Sequence, residues 1–144
     1  MKAASSWGKS PRERIEQECD RRGKPQVVAG CIDLLNGRAV DADLVLALGG
    51  PPARWAVTGE SAGPSYWLRV WATRGLLRAW DDVALSAVRS ALNDEAWQVR
   101  EMALKVVARH KLDDALTTVV ELQEDPVRRV RAAAARTLSI VAQG

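Results

Sequence analysis

The chain has few of the residues from which metal and catalytic sites are usually built. Its 144 residues include one histidine, His110, and two cysteines, Cys19 and Cys31. Neither cysteine has a CxxC or histidine partner at a useful spacing, which excludes a disulfide framework and gives no metal-ligand pattern. The sequence therefore predicts no metal and no other cofactor. It also indicates a reducing compartment in which Cys31 is a small buried apolar residue.

Long apolar segments are absent as well. No apolar run approaches the roughly 18 residues that span a bilayer, and the opening MKAASSWGKS lacks the apolar middle region of a secretion signal. We therefore expect no membrane partner and a cytoplasmic location. The net charge of +3 divides into +1 for residues 1–62 (9 basic, 8 acidic) and +2 for residues 63–144 (12 basic, 10 acidic). This distribution is too even to identify a nucleic-acid-binding protein from charge alone.

A repeated pattern is the most informative feature that is present. The sequence V-R-x-x-A begins at Val99 and again at Val130, and the near-copy L-R-x-x-A begins at Leu68, so the step is 31 residues each time. A regular step of this size predicts stacked structural units. From residue 66 onward the pattern favours five helices, over 66–80, 81–92, 94–110, 113–123 and 125–141.

The first part of the chain is less regular. Residues 1–9 are expected to be a disordered tail, and residues 10–48 to form three helices that cap one end of the stack. The first of these begins at Ser10, whose side chain forms a capping box with Glu13. Residues 49–65 hold four glycines and three prolines and are predicted to be one long loop, which Trp55 tethers by packing on neighbouring helices. Residues 66–144 contain the repeats, and the whole chain forms a single domain.

The repeat also carries a family resemblance. An Asp stands six positions before an Arg that follows an apolar residue, at Asp94 and Arg100 and again at Asp125 and Arg131. This pattern resembles the HEAT repeat, including short bacterial HEAT-like units, over residues 66–141, and the whole chain is similar to small HEAT-repeat proteins of actinobacteria. The resemblance implies an all-α fold, an α-α superhelix built as a short solenoid of stacked antiparallel helix hairpins. It also implies a structural ladder of Asp and Arg side chains between repeats, formed by Asp94, Arg100, Asp125, Arg131 and Arg69. The first unit departs from the pattern, because Gly63 stands where the Asp is expected.

One set of basic residues is a candidate binding site. Positions 98, 101, 105 and 109 alternate with the apolar face of their helix and are expected to point outward. Shifting them by 31 residues gives aligned columns, and the family resemblance implies that they line the concave side of the stack. The predicted stripe consists of Arg74, Lys105, Arg136, Arg78, Arg109 and Arg129, with Trp67 at one end. The alternative interpretation is an ordinary solvated face, since Glu101 interrupts the positive charge.

Two functional hypotheses follow. The first is a non-catalytic HEAT-repeat interaction module that binds a protein or acidic peptide through the basic concave face, because arginine matches carboxylate geometry. The second is a nucleic-acid-binding protein, remotely similar to the alkylpurine DNA glycosylases built on HEAT-like repeats. An enzyme is not favoured, because His110 lies at a predicted helix end where a cation is stabilising without any catalytic role. The sequence does not indicate an oligomeric state.

Overall fold

The structure, a computed structural model, describes residues 8–54 and 65–143. Within these ranges every regular element is helical, and no β-strand occurs. The predicted all-α fold is therefore confirmed. Eight α-helices lie fully within the described ranges: α1 (Pro11–Arg22), α2 (Lys24–Leu35), α3 (Ala42–Gly49), α4 (Tyr66–Gly75), α5 (Leu85–Ala91), α6 (Trp97–His110), α7 (Leu116–Glu121) and α8 (Arg128–Ala142). Short 3-10 turns at Pro51–Ala53, Asp82–Ala84, Asp113–Ala115 and Leu122–Glu124 lead into or out of the helices.

Helices α1, α2 and α3 form a first layer that packs against α4. The predicted capping box is present: the Ser10 hydroxyl accepts from the Glu13 amide at 3.1 Å, and the Glu13 carboxylate accepts from the Ser10 amide at 2.8 Å. Arg22 joins two of the helices, because its Nη1 and Nη2 donate to the Asp41 carboxylate at 2.7 and 2.8 Å. This bond lowers the pKa of Asp41. That the layer acts as a cap stays a prediction.

The predicted Gly/Pro loop and the predicted tail fall mainly outside the described residues. Residues 1–7, the proposed Trp55 tether and the rest of 55–64 are not described. The described start of the loop is ordered by contacts: Pro51–Ala53 form a 3-10 turn, and Ala53 is fully buried.

Helix α4 is shorter than predicted. The pattern favours a helix over 66–80, whereas the structure ends it at Gly75 and continues in a turn over 76–78. Gly75 lies so close to the first layer that a Cβ there would meet the Leu48 side chain at 2.6 Å and the Cys31 sulfur at 2.8 Å. The end of α4 is thus held directly against α2 and α3.

Helices α4, α6 and α8 run side by side in the same direction. Gln98 bonds to the Tyr66 hydroxyl at 3.0 Å, and the Thr137 hydroxyl donates to the Leu104 carbonyl at 3.0 Å. A second contact joins each pair of helices: His110 Nε2 lies near the Leu76 carbonyl, and Arg129 donates to Glu101. In each pair of helices the partner with the higher number advances together with the partner with the lower number, which occurs only when the helices are parallel. Positions one 31-residue step apart therefore lie next to each other. The shorter α5 and α7 precede α6 and α8 and pack against them, which completes two helical hairpins.

A single hydrophobic core runs through the stack. It extends without interruption from Ile15 in α1 to Val141 in α8. Cys31 is completely buried in it, and this burial raises the pKa of its thiol to about 12. The thiol is consequently a packing group at neutral pH.

Candidate interaction surface

Two arginine–aspartate pairs connect successive units. Arg69 donates to the Asp94 carboxylate through Nε at 2.7 Å and Nη2 at 3.1 Å. Arg100 makes the same pair of bonds to Asp125, at 2.8 and 3.1 Å. Each pair spans 25 residues, so the arginine belongs to one unit and the aspartate to the next. The hydrogen bond to Asp94 also raises the pKa of Arg69.

The same aspartates shape the turn before each second helix. An Asp94 carboxylate oxygen accepts from the Ala96 amide at 2.8 Å, and Asp125 accepts from the Val127 amide at 2.8 Å. Only 4% of the Asp125 side chain is exposed. A carboxylate buried to this degree must be paired and hydrogen-bonded to be tolerated, and Arg100 supplies the counter-charge.

Arg131 is the last predicted member of the ladder. It makes the same carbonyl contacts as Arg100 but has no carboxylate partner among the described residues. Its Nη1 donates to the carbonyls of Asp125 and Pro126 at 2.8 and 3.2 Å. Arg100 donates to Asp94 and Glu95 at the same two distances. Among the residues the structure describes, no carboxylate pairs with Arg131, and its side chain is exposed.

Several of the predicted stripe residues share one exposed surface. A hydrogen bond joins Leu104 of α6 to Thr137 of α8. Lys105 is the residue after Leu104, and Arg136 is the residue before Thr137. The two cations therefore lie on adjacent helices at the same position along the helix axes. Arg109 is one turn further along α6. All three are exposed, and none forms an ion pair with a described residue. We call the surface formed by Lys105, Arg109 and Arg136 the basic face.

Arg74 differs from its counterparts Lys105 and Arg136. Its side chain turns toward α3, where Nη2 donates to the Leu48 carbonyl at 2.7 Å. Arg74 is half-buried, and its Nε is buried without a hydrogen-bond partner in the described structure. Burial, together with the positive charge of Arg14, lowers the pKa of Arg74. The difference arises because α4 packs against the first layer of helices, whereas α6 and α8 pack against the repeats.

The other predicted stripe residues, Arg78, Arg129 and Trp67, are not part of the basic face. Arg78 is exposed in the turn after α4 and not on a helix, since α4 ends at Gly75. Arg129 pairs with Glu101 at 3.1 Å and lies 5.2 Å from the Trp97 ring, so its charge is partly neutralised. Trp67 is 36% exposed, and its ring stacks on Trp71 with centroids 6.5 Å apart.

His110 is engaged in packing between units. Its Nε2 lies 2.8 Å from the Leu76 carbonyl, and its ring stacks on Trp80 with centroids 4.6 Å apart. Because a carbonyl can only accept, Nε2 carries the proton. Burial lowers the pKa of His110. The arrangement places the ring in a structural contact.

Sequence reasoning missed Arg12. This residue near the start of α1 lies with Arg74 and Arg78 around one cleft, although it belongs to a segment that shows no repeat. Its position next to the capping box gives no signal of such a contact, because the packing of α1 near the end of α4 cannot be read from local periodicity.

The described residues contain no group of three or more His, Cys, Asp or Glu side chains arranged to hold a metal ion. In the same part of the chain, no helix combines the length and the apolar character that a membrane crossing requires.

The parallel second helices, the paired hairpins and the inter-unit ion pairs define a helical-hairpin repeat protein. A family model described as HEAT repeats matches residues 60–139, which is 80 of the 144 residues. The chain belongs to the HEAT-repeat family, as the resemblance in its sequence predicted. Neither a curated protein nor a solved structure matches the chain significantly. HEAT repeats generally mediate protein interactions.

Proposed function

We propose that the chain is a non-catalytic interaction module that binds an acidic protein segment across the basic face. The observation that carries the proposal is the exposure of Lys105, Arg109 and Arg136 on adjacent helices without an ion pair to any described residue. Arg129 is also exposed, but it is already paired with Glu101 within the chain.

The chemistry of the basic face suits carboxylates. Exposed arginine and lysine side chains gain little from isolated surface pairs. A partner with several carboxylates, however, forms several such ion pairs at once, and their free energies add. The positive potential of the surface also attracts such a partner before contact and speeds association. A cytoplasmic location of this interaction stays part of the proposal.

Fluorescence anisotropy with a fluorescein-labelled glutamate-rich peptide at about 50 mM salt tests the proposal, because surface charges are weakly screened at that concentration. The double variant Lys105→Glu with Arg136→Glu should bind at least about tenfold more weakly than the wild type, because two attractive contacts become repulsive. The matched control is Lys24→Glu with Arg89→Glu, which changes one lysine and one arginine on α2 and α5, away from the basic face.

Equal losses in both double variants would mean that only net charge matters and would contradict the proposal. Single-stranded and duplex DNA are titrated in parallel. If DNA binds with an affinity that falls steeply with salt while the peptide does not bind, the surface is a nucleic-acid interface instead.

A further inference from the structure

A cleft of about 370 Å³ lies between the start of α1 and the turn after α4. Its volume is within the range of about 300–1,000 Å³ that is usual for ligand sites. None of the residues that line it is acidic. The lining includes Arg12, Arg74, Arg78, Ser10, Ile15 and Leu77, and we call the site the arginine cleft.

Positive charge gathers behind this cleft without a described counter-ion. Arg74 donates through Nη2 to the Leu48 carbonyl at 2.7 Å, and Arg14 donates through Nε to the Ala47 carbonyl at 3.2 Å. Both guanidinium groups thus meet the carbonyl end of α3, which carries only about half an elementary negative charge. Neither arginine pairs with a carboxylate in the described part of the chain, and the Arg74 Nε remains without a hydrogen bond.

Arg14, which is buried, and Arg74, which is half-buried, are held in charged form at a cost. Burial lowers the pKa of Arg14, and burial together with the Arg14 charge lowers the pKa of Arg74. A negative group placed in the arginine cleft would offset this repulsion, since an opposite charge nearby favours the charged form of a side chain.

Two further arginines and two apolar side chains line the opening of the cleft. Arg78 is exposed and has no partner among the described residues. Arg12 pairs with Glu16 at 3.0 Å on the exposed surface, a kind of contact that is weak and easily exchanged. Ile15, only 1% exposed, and the partly buried Leu77 form the apolar side.

We propose that the arginine cleft is the anchoring subsite for the acidic partner and takes the carboxylate of an Asp or Glu whose apolar neighbour packs on Leu77. This proposal rests on the proposed function. Arg78 lies one 31-residue step before Arg109, which belongs to the basic face. A carboxylate fits better than a phosphate, because the wall is apolar and a group carrying nearly two charges costs more to desolvate there. The amides of Ser10 and Glu13 are also already bonded within the capping box.

The test is anisotropy with a labelled peptide of alternating glutamate and leucine. Arg78→Gln should weaken its binding about tenfold, the loss expected for one charge-assisted contact. The matched control, Arg89→Gln, removes an exposed arginine from α5 and should leave the affinity unchanged. A peptide with glutamine in place of glutamate should lose the dependence on Arg78.

Site-resolved evidence comes from the Nε–H resonances of the arginines. The alternating peptide should shift the resonance of Arg74 and leave those of Arg69 and Arg100 unchanged, because these two already bind aspartates. An unshifted Arg74 resonance at saturation would overturn the subsite.

The remaining outcomes separate the two proposals. If Lys105→Glu with Arg136→Glu weakens binding while Arg78→Gln and Arg12→Gln do not, the proposed function stands and the subsite is wrong. If the wild type binds neither acidic peptide, both proposals fail. If a phosphoserine peptide binds more tightly than the glutamate peptide and depends on Arg78, the assignment to a carboxylate is overturned.

Discussion

Arg100 and Arg131 occupy equivalent positions in successive units and differ in one interaction. Both donate through Nη1 to two carbonyls at 2.8 and 3.2 Å, but only Arg100 also binds a carboxylate of the next unit. Because the two arginines make the same carbonyl contacts, comparing them tests the contribution of the inter-unit ion pair and of the burial that accompanies it.

Arg100→Ala should lower the free energy of unfolding by about 1–3 kcal/mol, because it leaves the buried Asp125 carboxylate without its counter-charge. Arg131→Ala should cost clearly less. Urea unfolding followed by circular dichroism measures both. Equal losses would show that the carbonyl contacts, and not the ladder, stabilise the stack.

His110 gives the stability of the protein a defined pH dependence. Its pKa is below the usual value of 6.5 in the folded state because of burial. Below about pH 6.5 the unfolded chain therefore binds more protons than the folded chain, and the free energy of unfolding falls as the pH drops toward the folded pKa. His110 is the only histidine, so it should dominate this window.

The check is urea unfolding of the wild type and of His110→Gln between pH 7.5 and 5.5. Glutamine can still donate to the Leu76 carbonyl but does not titrate. The loss of stability toward low pH should be present in the wild type and reduced in the variant. The same slope in both proteins would rule out His110 as its source.

At the scale of elements, the local sequence predicts where the helices of the repeats lie. It does not predict where α4 ends. The 31-residue step, the apolar positions and the capping side chains are all local signals, and they predicted helices near their observed places. Residues 76–80 continue the apolar pattern, yet the chain turns there. The turn depends on how close Gly75 comes to α2 and α3, and this distance is a tertiary property.

Gly75→Ala tests that explanation. Alanine favours helices over glycine by about 1 kcal/mol, so local propensity alone predicts stabilisation. The added Cβ would instead approach Leu48 and Cys31 at 2.6 and 2.8 Å, and overpacking of this kind costs about 1–3 kcal/mol. Thermal unfolding should therefore show a lower Tm. Gly8→Ala, where no described atom lies within 4 Å, should leave the Tm nearly unchanged.

At the scale of the whole molecule, the sequence predicted the repeat architecture but only part of the candidate site. Lys105 and Arg136 lie one 31-residue step apart on adjacent helices, and Arg109 follows Lys105 by one turn of α6, so the repeat register was enough to place these residues together. Arg74 obeys the same register along the backbone, but its side chain turns to the carbonyl end of α3. The arginine cleft depends on how α1 approaches α4, and no periodic signal describes that contact.

The central proposal is that an acidic partner binds to the basic face. The most direct measurement is an amide NMR titration of the wild type with the peptide of alternating glutamate and leucine. The expected result is one continuous set of shifted amides that surrounds Lys105, Arg109 and Arg136. Shifts confined to α5 and α7, or no shifts at about 50 mM salt where such contacts are weakly screened, would contradict it.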